Sequence, residues 1–161
     1  MDRATTIRRF PHLLPKERVL WNLFLDKHMS EYEYFEYDVH VGQGVSLPSD
    51  IPPEIRRMAL ALSRKRIDVV GHQKTRIILF EIKPDAGLSC IGQLLAYLYL
   101  YKVQFRPSLP VKTHIISDII DIDTKSTARA YGINWTTINI NWNDYIYDKV
   151  RREFIKKKSS L

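Results

Sequence analysis

The chain has 161 residues, of which 45 % are hydrophobic and 27 % charged. That is one domain's worth of sequence with enough apolar content to close a core, which excludes a disordered chain and a collagen-like fibre. A single cysteine, Cys90, excludes a disulfide framework, a thiolate cluster and a thiolate zinc site. With 25 Lys+Arg against 18 Asp+Glu the formal net charge is +7, an excess that favours a polyanionic partner.

The opening MDRATTIRRF has no apolar run behind its charges, so no secretory leader is expected. The most apolar stretch, residues 91–103, is too short for a membrane span and contains Gln93 and Lys102. Both features point to a cytoplasmic protein with no membrane partner. Basic, loosely held ends (residues 1–12 and 150–161) are expected to flank a single domain covering 1–161.

In chain order, Pro15 stands where helices begin, and Val19, Leu20, Leu23 and Phe24 follow helical spacing over residues 16–28. Residues 31–41, EYEYFEYDVHV, alternate aromatic or β-branched residues with charges, the pattern of a half-buried strand. GQGVSLPSDIPP is loop. A short helix starts at Asp50 or Pro52–Pro53 and runs through Ile55, Met58, Ala59 and Leu62. Two strands, 66–71 and 76–83, flank the turn HQKT. After Pro84, residues 88–103 form an apolar helix that packs on a sheet through Leu94, Leu95, Leu98 and Tyr101. A strand over 111–117 is followed by a helix over 123–131, capped by Asp123 or Thr124 and stopped by Gly132, and then by a strand over 133–140. The segment from 148 onward is a basic helix or a frayed end. Strands in a meander first and alternating with helices later predict an α/β fold, a central mixed β-sheet with helices on both faces.

The chemistry concentrates in three residues. Asp68 lies within the apolar RIDVV, and Glu81 and Lys83 close the apolar ILFEIK. Acids are depleted in such strands, and a buried charge needs compensation. Positions 81 and 83 leave one face of their strand. A turn centred between Lys74 and Thr75 pairs residue 68 with residue 81, so the two acids share that face with Cβ atoms about 5 Å apart. Two such carboxylates repel unless one takes a proton or a cation lies between them. Mg²⁺ or Mn²⁺, held by one or two carboxylates, the Ile82 carbonyl, waters and a substrate phosphate, fits the arrangement. Lys83 would orient and help deprotonate an attacking water, or neutralise charge as a phosphodiester breaks. The bland alternative is a cross-strand salt bridge on a solvated sheet face.

The set Asp68, then Glu81-Ile82-Lys83, followed by Gly92-Gln93-Leu94-Leu95-Ala96-Tyr97 on the next helix, resembles the PD-(D/E)xK (restriction-endonuclease-like) nuclease superfamily. It is nearest to the RecB and lambda-exonuclease branch, which carries a GQxxxY helix. The resemblance implies a restriction-endonuclease-like core and a nuclease that hydrolyses DNA with Mg²⁺ or Mn²⁺. By it, Asp68 and Glu81 are metal ligands and Lys83 is the catalytic lysine. Gln93 bonds near the metal water or the scissile phosphate, and Tyr97 supports it or touches DNA. Glu17 occupies the first helix where many members place a further acid facing the metal; its other reading is a favourable charge in a helix first turn. Two departures stand out: Ile67, not proline, precedes Asp68, and one cysteine excludes the iron–sulfur branch. A catalytically inactive nuclease-fold module, a DNA-binding or assembly subunit of a larger complex, is the rival reading. The expected partners are DNA and either a second copy of the chain or the other subunits of a DNA-processing complex.

Arg56, Arg57, Arg64, Lys65 and Arg66 precede Asp68 and would grip phosphates along a groove, or form a solvated helix face. Asp85 is expected to cap the helix that follows it. His12, His28, His40, His72 and His114 show no ligand spacing; only His40, on a strand beside that of Asp68, is left without a reading. Trp21, Trp135 and Trp142 read as packing residues.

Overall fold

Pro15 opens helix α1 (Pro15–His28), at a position where its missing N–H has no helical partner to lose. The computed structural model describes Phe10 and residues 12–144. The basic tail beyond residue 148 and most of the basic N-terminal stretch lie outside the described residues. Leu20, Trp21, Phe24 and Leu25 form the buried face of α1, whereas Leu23 is exposed. The helix is therefore turned from the face expected through Leu23, because the Trp21 ring seats against Phe35 and Phe80. A 3-10 turn over Met29–Glu31 delays the first strand, β1, to Tyr34–Val41.

Strands β2 (Lys65–His72) and β3 (Ile77–Ile82) form the expected hairpin. Gln73 N–H donates to the Arg76 carbonyl at 3.0 Å, and the ladder runs from His72↔Ile77 to Val69↔Phe80. This is the register that places residue 68 across from residue 81. Beyond β3 come a two-residue strand, β4 (Asp85–Ala86), then α3 (Leu88–Phe105) and β5 (Val111–Ser117). A second two-residue strand, β6 (Ile119–Ile120), pairs with β4. Helix α4 (Ile122–Ala130) and β7 (Asn134–Thr137) follow. The sheet order is β1-β2-β3-β5-β7, antiparallel as far as β3 and parallel from β3 to β7. All of β3 is buried, which explains its unbroken apolar run: it lies mid-sheet with both faces covered. Phe80 and Ile82 pack with α1 on one face, and Leu79 packs with Leu94 and Tyr97 of α3 on the other. The α/β class with helices on both faces is as expected.

Several local expectations fail for identifiable reasons. Asp121, not Asp123 or Thr124, caps α4, with Oδ1 accepting from Thr124 N at 2.8 Å. Asp85 does not cap α3; it lies in β4, and Gly87 occupies the cap position without a side-chain bond. The last strand stops at Thr137, because Ile140 N–H turns to the Asp118 carboxylate at 3.1 Å. Asp38 adopts a left-handed φ of 56° in the middle of β1. Phe35 and Tyr37 before it pack on the α1 side, whereas Val39 and Val41 after it pack on the α3 side. The strand changes faces there, which a regular period-two pattern does not foretell.

Helix α2 (Pro53–Ser63) buries no residue. Ile55, Met58 and Leu62 share one helical face, yet they are 51, 62 and 80 % exposed. The stripe that marks this segment as helical points away from the domain. Serine at Met58 or Leu62 is accordingly expected to change unfolding free energy in denaturant by no more than about 0.5 kcal/mol. A loss above about 2 kcal/mol would mean that this face is covered in solution.

Candidate active site

The β2–β3 ladder opens where the acids stand. Hydrogen-bonded pairs alternate along an antiparallel ladder, so continuation would send Ile82 N–H to Ile67. Instead it donates to Asp68 Oδ2 at 3.1 Å. The Asp68 carboxylate is thereby fixed at the mouth of the opened hairpin. Glu81, across from it, is only 1 % exposed. Lys83, just past β3, places its Nζ 3.6 Å from Glu81 Oε1 and 3.6 Å from Glu17 Oε1. Glu17 reaches this point from the first turn of α1, where its other oxygen accepts Leu14 N–H at 2.8 Å. Four residues from three separate elements thus converge.

Electrostatics here is dominated by burial. Burial, helped by the charge of Glu17, pushes the Asp68 carboxyl up to about 6, against the Ile82 hydrogen bond and the cations Lys83 and Arg66. Burial and then Asp68 push Glu81 up to about 8, against the attraction of Lys83. The pair therefore retains a proton that free carboxylates would have lost by neutral pH. Burial would lower the Lys83 ammonium, but Glu81, Glu17 and Asp68 together outweigh it and hold it above its ordinary value.

Helix α3 forms one wall. Gln93 Nε2 donates to Tyr97 Oη at 3.4 Å. Burial pushes the buried Tyr97 phenol up to about 12, with Glu81 and Asp68 adding to it. Cys90, one turn before Gln93, is drawn up to about 11 by burial and then by Glu81. Sequence reasoning assigned Cys90 no place here. Its spacing of three to Gln93 and seven to Tyr97 puts it on the same helical stripe, which is a usable signal.

The basic stretch divides. Arg66 borders the acids: its charge acts on Asp68, while its Nε lies 3.7 Å from Asp38 and its Nη1 3.1 Å from His12 Nδ1. Arg64 is spent on structure, donating to the carbonyls of Gly42 and His40 and to Gln104 Oε1 at 2.8–3.0 Å. The His40 carbonyl serves that same network, accepting also from Gln104. Arg57 pairs with Glu54 at 3.7 Å on the exposed α2 surface, where Arg56 is half-buried, and Lys65 is exposed. His114 lies against Phe24 and Phe80, held neutral by burial with its pKa lowered to about 4.

One atom tests whether a cation suits the acid pair. Glu81 Oε2 is buried without any hydrogen-bond donor. A buried acceptor left unpaired is costly, and a divalent cation would satisfy it. Among the described residues no three His, Cys, Asp or Glu side chains gather closely enough to hold an ion together. Glu17 is divided between Leu14 N–H and Lys83. Asp68 and Glu81 are thus the acids that could hold an ion, and hard divalent ions such as Mg²⁺ characteristically keep several waters beside one or two carboxylates.

No protein-family model matches the chain, and no curated protein matches it. Solved structures resemble it over most of its length. A repair endonuclease from Pyrococcus abyssi is 16 % identical over 79 % of this chain and 48 % of its own, with a TM-score of 0.49. EndoMS in complex with double-stranded DNA is 12 % identical over 79 % of this chain and 46 % of its own, with a TM-score of 0.47. The small subunit of the heterodimeric restriction endonuclease R.BspD6I is 15 % identical over 78 % of this chain and 64 % of its own, with a TM-score of 0.43. This chain spans about half the length of the Pyrococcus protein. Likenesses of this depth leave the roles of Asp68, Glu81 and Lys83 to the geometry of the chain itself. No helix among the described residues is long and apolar enough to cross a membrane.

Proposed function

We propose that this protein is a metal-dependent nuclease that hydrolyses DNA phosphodiester bonds, with the restriction-endonuclease-like arrangement that its hairpin and its GQxxxY helix resemble. The observation that carries the reading is the buried, donor-less oxygen of Glu81, opposite an Asp68 pinned by a backbone amide and beside an ammonium. A surface salt bridge requires no such burial. Asp68, Glu81 and the Ile82 carbonyl would hold Mg²⁺ or Mn²⁺. When bound, such an ion polarises a phosphoryl oxygen and lowers the pKa of a water. Lys83 supplies positive charge where the phosphate gains negative charge, and Glu17 keeps its ammonium aimed at the acids. Tyr97 steadies the Gln93 amide beside them. Arg66 and the exposed Lys65 and Arg57 offer the DNA backbone cations that carry no sequence information.

Purified protein should cleave linear or nicked DNA with Mn²⁺ and not with EDTA. Failure on linear, nicked, branched and single-stranded DNA alike would sink the reading. Metal binding must displace the proton held by the acid pair, so it should tighten as pH rises. With Glu81 raised to about 8 and Asp68 to about 6, the Mn²⁺-induced rise in Tm is expected to grow from pH 6 to pH 8 and to vanish near pH 5. Differential scanning fluorimetry across that range checks it; a shift independent of pH would place the ion elsewhere.

A further inference from the structure

Helix α3 links two ends of the domain. Its first turn stands beside the acid pair, and its 18 residues carry the chain about 27 Å away at 1.5 Å per residue. At that far end lies an open cavity of about 470 Å³ lined by Lys102, Arg106, Pro107, Leu109, Pro110 and Lys112. We propose that it is a second phosphate-binding site, which seats the backbone of the bound nucleic acid away from the reacting bond.

Three observations converge on it. First, no carboxylate among the described residues forms an ion pair with Lys102, Arg106 or Lys112. Uncompensated cations around a concavity focus a positive potential into it. Second, the cations come from separate elements. Lys102 and Arg106 end α3, where they complement the helix dipole, but Lys112 belongs to β5 and the dipole gives no reason for it. Third, Arg106 holds a left-handed backbone, φ 46°, at a helix end where glycine is the usual residue. A strained residue with a long cation at that position calls for a compensating role. The floor is preformed: Pro107 and Pro110 stiffen the loop, and the Pro110 carbonyl accepts Ile77 N–H at 2.9 Å. The groove is open, and its three cations stand around a wall that also includes Pro107, Leu109, Pro110 and Val111, so a strand can lie along it with its phosphates on the cations. The identity of the polyanion rests on the nuclease reading above; the site itself shares no residue with the acid pair.

The test compares two variants of equal net charge. Arg106→Gly/Lys112→Ser removes two far-end cations, and Lys27→Ser/Lys125→Ser removes two others. Duplex DNA binding is measured in EDTA across a salt series. The far-end variant should lower the slope of log K against log salt by about 1.8, the contribution of two phosphate contacts, and weaken binding about tenfold at 100 mM salt. The control should change affinity less than about threefold, as expected of a diffuse charge effect. Glycine relieves the left-handed position, so the Tm of the far-end variant should equal or exceed that of the wild type, and misfolding cannot imitate the result. If the far-end variant binds like the control, or if the wild-type protein binds no DNA at low salt, the second site is refuted. A protein that cleaves with Mn²⁺ but whose far-end variant matches the control loses only this inference. One that grips DNA through the far end and never cleaves loses only the nuclease reading.

Discussion

Glutamine in place of Glu81 is expected to abolish Mn²⁺-dependent cleavage and, at pH 8, to make the metal-free protein more stable than the wild type. The two effects share a cause. Folding raises the Glu81 pKa to about 8, chiefly by burial. A carboxyl whose pKa is raised on folding costs nothing in acid, where both states are protonated. Its cost grows as pH climbs from the ordinary carboxylate range to the folded value. The neutral amide escapes that cost. The gain at pH 8 is on the order of 3 kcal/mol, or roughly 6–12 °C in Tm for a domain of this size. At pH 4 the two proteins should melt together. The variant should also lose the thermal shift with Mn²⁺, since one of the two carboxylates proposed to hold the ion is gone. A stability gain coupled to loss of activity is the mark of a site strained for its task. A variant less stable than the wild type at every pH would instead mean that Glu81 is a structural acid already well paired.

Alanine in place of Lys83 is expected to slow cleavage by about 10²–10³-fold, the usual effect of removing one charge-stabilising donor from a reacting centre. DNA affinity in EDTA should change by less than about threefold, because one ammonium beside three carboxylates adds little to the outer surface. Single-turnover cleavage set beside binding separates the two. Stability gives an independent reading. Lys83 is the cation held between Glu17 and Glu81 at 3.6 Å from each. Without it the acids repel, so the variant should lose Tm as pH rises toward 8 and recover it near pH 5. Unchanged cleavage would reduce Lys83 to an ion-pair partner.

Much of the site was legible because it depends on local rules. A two-residue turn at Lys74-Thr75 sets the register of everything beyond it, and the observed ladder from His72↔Ile77 to Val69↔Phe80 follows from that alone. Residues 81 and 83 share a face by the pleat, and Gln93 and Tyr97 share one by the helical repeat. Misreadings arose where another group, near or distant along the chain, overrode the expected local signal. Asp123 is a reasonable cap by composition, yet Asp121 has the carboxylate that reaches Thr124 N–H. Leu23 fits the apolar spacing of α1, but the bulk of Trp21 turns the helix toward Phe80. Arg64 looks like a phosphate cation and is instead consumed by the carbonyls of His40 in β1 and of Gly42 just beyond it.

By itself, the order of residues determined the class of fold, the hairpin register and the meeting of two acids with an ammonium, because each follows from short-range periodicity and turn chemistry. Only the tertiary structure decided that the ladder opens at Asp68, that Glu81 Oε2 is sealed without a donor and that Glu17 arrives from α1 to hold Lys83. It also turned the apolar stripe of α2 outward and gathered Lys102, Arg106 and Lys112 at the far end of the sheet. Burial and long-range approach are properties of packed elements, and no window along the chain contains them.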